Sequence, residues 1–367
     1  LYHLIFIVKI KNNMRVCILG NSLSSLTLAK ALVNQKIYVD VISSKKSKKS
    51  NQTRTIGISK SNIEFFNKNI ININKIIWKL KKIQIYSDNL KNEKILHFEN
   101  NNQLFSIVEN RKLILLLQKS LSKNVYFKKI NTNNKLLLKD YDIVINTDYF
   151  NPITKKYFNK RILKKYNSYA FTTIIEHEKI INNIATQIFT KIGPLAFLPI
   201  SDNKTSIVYS IYNSKNNNKQ NINELIKSYN FKYKINKIQK PEHFELNSIS
   251  LRSYYFKNIL AFGDLLHRVH PLAGQGFNMT IRDVRELIKI IKKKIDLGLP
   301  IDISVNDEFE KKMKHKNFIF SNGINLIHEF FKFDRKTNSN FFGKSVRAIG
   351  KNHLINKFFT QIADEGI

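Results

Sequence analysis

Near its start the chain changes hydrophobic period in a regular order. Val16 to Leu19 is an unbroken apolar run that stops at Gly20. From Ser22 to Gln35, Leu, Ala and Val recur at helical spacing, and "IYVDVI", Ile37 to Ile42, is apolar again. Strand, helix and strand in this order predict a βαβ unit that opens a parallel sheet. "SKSNIEFFNKNI" predicts a helix capped by Ser59 or Ser61. "KIQIYSD" and "KILHFE" carry strand patterning, Asn110 to Leu121 predicts a helix, and Tyr141 to Asp148 a buried strand that ends on an acid.

Beyond that point the texture changes. "SYAFTTIIEHE", "ATQIFTKIGPLAFLPIS" and "TSIVYSIY" predict successive strands of a mixed or antiparallel sheet, and "NKQNINELIKSYN" predicts a helix. Asn258 to Asp264 is another buried strand. It leads through a Gly/Pro-rich turn into a helix from about Phe277 to Leu297, stopped by Gly298. On this helix Val284, Leu287, Ile288, Ile291 and Ile295 share one face. The remainder reads as helical, with a Phe-rich stretch "IHEFFKF" that suits core packing or, as the alternative, a membrane or lipid-tail contact.

Composition narrows the partners. The 367 residues carry a formal net charge of +35. The lysines are scattered among Asn and Ile rather than gathered in a stripe, so the charge does not indicate a nucleic-acid partner. Peripheral contact with an anionic membrane needs only a net positive face and stays open. Cys17 is the only cysteine, which excludes an internal disulfide and a thiolate zinc cluster and fits a reducing cytoplasm. The apolar run before Met14 is far shorter than the roughly 20 residues a membrane span needs. It also lacks signal-peptide features. Translation beginning at Met14, or a short strand extension, is the expectation for residues 1–13.

Two stretches carry chemistry. At the first βα turn a dinucleotide fingerprint would place glycine at three positions, and here these are Gly20, Ser22 and Ser25. Taken alone, the turn reads first as a structural strand–helix junction, and the second stretch reverses that reading. The second stretch is "GDLLHRVHPLAGQGFNMTIRD". Asp264 ends a strand, where open α/β sheets bind ligands, and a carboxylate there accepts hydrogen bonds from ligand hydroxyls. Pro271 and Gly274-Gln275-Gly276 form a tight turn, and the helix that follows directs its positive end into the same crevice. The site suits a sugar-like chain and a group that becomes anionic. His267 and His270 are too isolated to read as a metal site, and His267 is expected to order the turn.

This second stretch resembles the FAD motif G-D-x-x-H-x-x-x-P-x-x-G-Q-G-x-N of flavin-dependent aromatic hydroxylases. Gly263, Asp264, His267, Pro271, Gly274, Gln275, Gly276 and Asn278 fill every fixed position. "RTIGISKSNIEFF", "SIVENRKL", "KIGPLAFLPIS" and "RAIGKNHLINKFFTQIADEG" resemble, in the same order, segments of the ubiquinone-biosynthesis hydroxylases. The resemblance spans Met14 to Gly366. It implies an α/β fold: a Rossmann-like FAD-binding domain of the glutathione-reductase type, an inserted β-sheet substrate domain and a C-terminal helical tail. The implied division is 14–80, 110–165 and 253–300 for the FAD domain, 81–109 and 166–252 for the substrate domain, and 301–367 for the tail.

By the same resemblance, Asp264 would bind the ribityl hydroxyls and the turn at Gly274–Gly276 would face the flavin. The Gly20 turn would hold the ADP half. Arg54 would point toward the flavin, with a plain surface charge as the alternative, and Asn110 would lie beside it, with a helix cap as the alternative. The sequence departs from the pattern at Ser22, at Ser25 and at Ser43, which stands where an acid would hold the ribose. It departs again at Asn146-Thr147-Asp148-Tyr149, where Gly-Ala-Asp-Gly is expected and only Asp148 survives. These departures predict weaker FAD binding, partly recovered by a hydrogen bond from the Ser22 hydroxyl to a phosphate. The implied activity is hydroxylation of a polyprenylated phenol or quinol by O2, with NAD(P)H reducing FAD and a flavin C4a-hydroperoxide transferring the oxygen. A complex with other ubiquinone-biosynthesis proteins and a cytoplasmic or peripheral inner-membrane location follow from the same likeness. No catalytic base is legible. The rival reading is a degenerate flavoprotein that acts as a scaffold. A halogenase is disfavoured because Trp78 is the only tryptophan.

Overall fold

The computed structural model describes residues 14–43, 53–88, 93–99, 103–131, 138–212, 222–271, 274–337 and 364. The polar, charged stretch Ser43 to Gln52 reads as a loop, of which only Ser43 is described, and the expectations for residues 1–13 and for the helix at 347–366 lie outside the described residues, Asp364 excepted.

Three sheets organise the described residues. The first is built from β1 (Arg15–Leu19), β2 (Tyr38–Ser43), β8 (Phe127–Asn131), β9 (Ile143–Asn146), β16 (Tyr255–Phe256) and β17 (Ile259–Ala261), in the order β16-β17-β9-β1-β2-β8. All neighbours pair in parallel except the edge pair β16–β17. Val16 to Leu19 is buried, as a strand covered on both faces must be, which explains the unbroken apolar run. Helix α1 (Leu23–Val33) follows β1 and is buried nearly all round, its Ser24, Ser25 and Thr27 included.

The second sheet is small and antiparallel, with β3 (Thr55–Ser59), β7 (Phe105–Glu109) and β4 (Ile77–Leu80) in that order. Its strands β3 and β7 lead directly into α2 (Lys60–Asn69) and α3 (Asn110–Leu121), respectively. The third sheet contains β5 (Lys82–Ser87), β6 (Glu93–Glu99), β10 (Arg161–His177), β11 (Ile184–Phe189), β12 (Pro194–Pro199), β13 (Lys204–Tyr212), β15 (Glu242–Leu251) and β18 (His267–Arg268). Their order is β18-β15-β10-β13-β12-β11-β5-β6, and β14 (Ile235–Ile238) pairs with β10. The strands of 81–109 therefore divide, since β5 and β6 join this sheet and β7 does not.

One core lies between the parallel sheet and its helices, and a second lies on the large sheet under α5 (Ile222–Tyr229). The remaining helices are α4 (Pro152–Tyr157), α6 (Gly276–Asp296) and α7 (Ile303–Thr337). On α6, Val284, Leu287, Ile288 and Ile291 are buried as expected, whereas Ile295 is exposed beyond the edge of the core. The Phe-rich stretch departs from core packing: Ile327, Phe330 and Phe333 are exposed and His328 is buried in their place. No helix among the described residues is long and apolar enough to cross a membrane.

Candidate functional site

The carboxyl end of β1 sets the first turn. Gly20 has φ +112°, and a Cβ there would stand 2.5 Å from Thr147 Oγ1, so both conformation and space require glycine. Its N–H donates to Ile42 O at 2.8 Å. Ser22 is the N-cap of α1 in a reciprocal box: Ser25 N donates to Ser22 Oγ (3.3 Å) and Ser22 N to Ser25 Oγ (3.1 Å). Ser22 Oγ is also 3.0 Å from Ser25 Oγ, and Ser25 Oγ is 2.7 Å from Thr147 Oγ1, which donates to Leu19 O at 2.8 Å. The Ser22 hydroxyl thus turns into the cap, whereas the resemblance implies a hydrogen bond from it to a phosphate. Ser43 closes β2 and donates to Asn131 Oδ1 at 3.1 Å, so its proton is likewise committed within the protein. Asp148 accepts from Phe150 N at 2.9 Å and sits against Gly20.

The second turn packs on the first. Gly263 has φ +64°, and a Cβ there would lie 2.7 Å from Ser24 Cβ on α1. The next residue, Asp264, is exposed and has no hydrogen-bond or ion-pair partner among the described residues. His267 is buried and bonds through Nε2 to Asp283 on α6, whose other oxygen accepts from Asn317 on α7 at 2.9 Å. It orders the turn as expected. Gly274 N donates to Pro271 O at 3.0 Å, and Gly274, at φ +64°, lies over the backbone of Gly57 in β3. Gln275 is the N-cap of α6 and Gly276 its first residue.

Asn278 is fully buried and its amide is spent within the protein. Its Nδ2 donates to Gly57 O (3.1 Å) and Gly274 O (3.3 Å), and its Oδ1 accepts from Ser59 N (3.0 Å) and Asn62 Nδ2 (3.1 Å). This amide clamps the turn onto β3 and α2 instead of reaching outward. Arg54 is exposed at the head of β3, and its carbonyl accepts the N–H of buried Asn110 at 3.0 Å. Asn110 is not a cap, because the N-cap of α3 is Glu109.

Behind Pro271 lies a buried aromatic cluster. His270 and His328 face each other at 4.4 Å, and Tyr166 meets both edge-on. Tyr212 hydrogen-bonds His328 Nε2 at 2.9 Å, and Tyr166 donates to Asn325. Burial holds His328 down at about 4 and, with His328 beside it, keeps His270 well below the usual histidine range. It pushes the Tyr166 phenol up to about 12. The cluster is neutral at pH 7 and staples α7 and the large sheet to the turn. Cys17 is buried in the core, with its thiol pushed up to about 12. Among the described residues no group of His, Cys, Asp and Glu side chains is placed to hold a metal.

Three residues escaped the sequence. Thr147 joins the first turn to β9. Gly57 sits where a Cβ would collide with the Phe105 ring at 2.0 Å, and a lone glycine inside a strand was the available signal. Asp364 accepts from Ser61 N and from the hydroxyls of Ser59 and Ser61, each at 2.9 Å, and so caps α2 from a distant part of the chain. Nothing local marked it.

The assembled residues fit FAD. Two buried oxygens have no hydrogen-bond partner among the described residues, Asn21 Oδ1 in the first turn and Gln275 Oε1 at the start of α6. Together with the unpaired Asp264 carboxylate, they leave polar capacity at the crevice for a ligand with both donors and acceptors.

Comparison with known proteins agrees. Residues 196–296 match the model of an FAD binding domain. The ubiquinone biosynthesis monooxygenase COQ6 of Drosophila melanogaster is 24% identical over 232 residues, 52% of this chain and 49% of that protein. The 3-demethoxyubiquinol 3-hydroxylase of Escherichia coli is 30% identical over 152 residues, 40% of this chain and 39% of that protein. The matched stretches thus span half or less of these curated relatives. Among solved structures, p-nitrophenol 4-monooxygenase PnpA from Pseudomonas putida superposes with TM-score 0.77 at 11% identity, covering 96% of this chain and 97% of that one. HpxO of Klebsiella pneumoniae, solved with FAD and uric acid, gives 0.73 at 12%, with coverage of 96% and 97%. The fold is that of FAD-dependent monooxygenases, and the chain is similar in sequence to hydroxylases of ubiquinone biosynthesis.

Proposed function

We propose that this protein is a monooxygenase that hydroxylates the aromatic ring of a polyprenylated phenol or quinol intermediate of ubiquinone biosynthesis, with O2 as oxidant and NAD(P)H as reductant. Bound FAD supplies the oxygen chemistry. The chain's own contribution is to hold and polarise. Asp264 accepts hydrogen bonds from the ribityl hydroxyls. The Gly274–Gly276 turn presents the positive end of α6, which stabilises negative charge on the ring system. Asn278 keeps that turn seated on β3. Arg54 and Asn110 border the same crevice.

The observation that carries this reading is the exposed, unpartnered Asp264 carboxylate on a turn packed directly against the first βα turn. The substrate class rests on the relatives' names. The exposed Phe318, Leu326, Ile327, Phe330 and Phe333 on α7 suit a prenyl tail or peripheral contact with a membrane surface. Incubation with FAD, NAD(P)H, O2 and a short-chain prenylphenol should give a product heavier by one oxygen. Turnover of soluble aromatic acids alone, with none of the prenylphenol, would contradict it.

A further inference from the structure

Ser25 and Thr147 are 122 positions apart in the chain, yet their hydroxyls meet at 2.7 Å between α1 and the end of β9. The direction of this contact is fixed. Thr147 donates its only hydroxyl proton to Leu19 O, so it accepts from Ser25. Ser25, its own proton committed, accepts both the N–H and the hydroxyl of Ser22. The result is a one-way chain, Ser22 to Ser25 to Thr147 to the last carbonyl of β1. Thr147 N also donates to Leu19 O, at 2.9 Å.

Ser25 is fully buried, so its Cβ does not stand in the path of a ligand at the helix end. Thr147 Oγ1 fills the space that a side chain at position 20 would need. Gly20, Ser25 and Thr147 therefore specify one another, and Asp148 is the next residue. The reciprocal cap satisfies the N–H groups of Ser22 and Ser25. The first-turn donors it leaves for an anion are those of Leu23 and Ser24.

We propose that this hydroxyl chain replaces the missing glycines: Ser25 and Thr147 are positioning residues that lock the first turn to the Asp148 segment as one body, set to receive the ADP half of FAD. The proposal rests on the FAD reading above. It reverses what the fingerprint implies, namely that glycine at position 25 would improve binding.

The test is flavin-fluorescence titration of the full chain with FAD and, separately, with FMN, which lacks the ADP half. Thermal melts serve as a folding control. Ser25→Gly, Ser25→Ala and Thr147→Val should each weaken FAD binding about tenfold and leave FMN binding unchanged, while Thr147→Ser retains wild-type affinity. The Ser25→Ala, Thr147→Val double variant should bind no worse than the weaker single variant, because the two act through one contact. FAD binding by Ser25→Gly that equals or exceeds wild type would overturn the proposal, and so would equal losses for FAD and FMN. If Thr147→Val does not fold, the two Ser25 variants decide. A wild-type protein that binds FMN but gains nothing from the ADP half removes the FAD reading itself, and the proposal with it.

Discussion

The two turns that meet at Gly263 and Ser24 solve the same problem with different materials. The second turn is made largely of backbone: Gly263 and Gly274 take left-handed conformations, the peptide of Gly274 lies on that of Gly57, and the side chains that bind the turn, Asn278 and His267, are buried. The first turn keeps one such glycine, Gly20, and hands the rest to hydroxyls. A glycine turn can be read from a sequence because φ and close approach restrict the residue type. A hydroxyl turn is not legible in that way, since its partners lie on other strands.

The contrast can be broken from either side. The largest effect is expected at the second turn. Asn278→Ala removes the side-chain partner of two carbonyls and of the Ser59 N–H, and one of the two acceptors of Asn62 Nδ2, and should cost about 3 kcal/mol. Urea unfolding checks this, and a loss below about 1 kcal/mol would show that the clamp is dispensable. Asp264→Ala should leave unfolding unchanged, because the carboxylate is exposed. It should weaken FAD binding by about 1.5–3 kcal/mol, ten- to a hundredfold. Calorimetric titration measures this, and near-normal affinity would remove Asp264 from the site.

Next is the histidine staple behind Pro271. The folded protein holds His328 neutral down to about pH 4, whereas unfolded histidine takes its proton near 6.5. The unfolded state therefore binds more protons in this window. The stabilisation is complete above pH 6.5 and is lost as pH falls toward 4, on the order of 3 kcal/mol. Melting curves from pH 7 to 4.5 should show that slope in the wild type and a shallower one in His328→Asn; identical slopes would count against it. The smallest effect belongs to the first turn. Ser22→Ala removes the N-cap acceptor and should cost about 1 kcal/mol, read as a drop of a few degrees in Tm.

Local order was the legible part. The periodicity gave β1, the helix Asn110–Leu121 to the residue, and the stop of α6 at Gly298, because each depends on neighbours in the chain. The intact motif located Asp264 and both glycines. Long-range partnership was hidden. The Ser25–Thr147 bond, the Asp364 cap on α2 and the division of β7 from β5 and β6 all depend on which strands become neighbours. Ser22 and Ser43 look like damage in a list of residues. In the folded chain each has a partner, Ser25 and Asn131 respectively. On α7, the Phe-rich stretch was legible as apolar, but the sequence said nothing of whether the protein itself covers Phe330 and Phe333.

The central claim is that both turns hold one dinucleotide flavin, one end each. Titration of the wild-type protein with FAD and with FMN under identical conditions tests it most directly. The account predicts saturable binding of one FAD per chain, at least tenfold tighter than FMN, a difference of about 1.4 kcal/mol or more from the ADP half. Equal affinities for the two flavins, or no flavin binding at all, would contradict it.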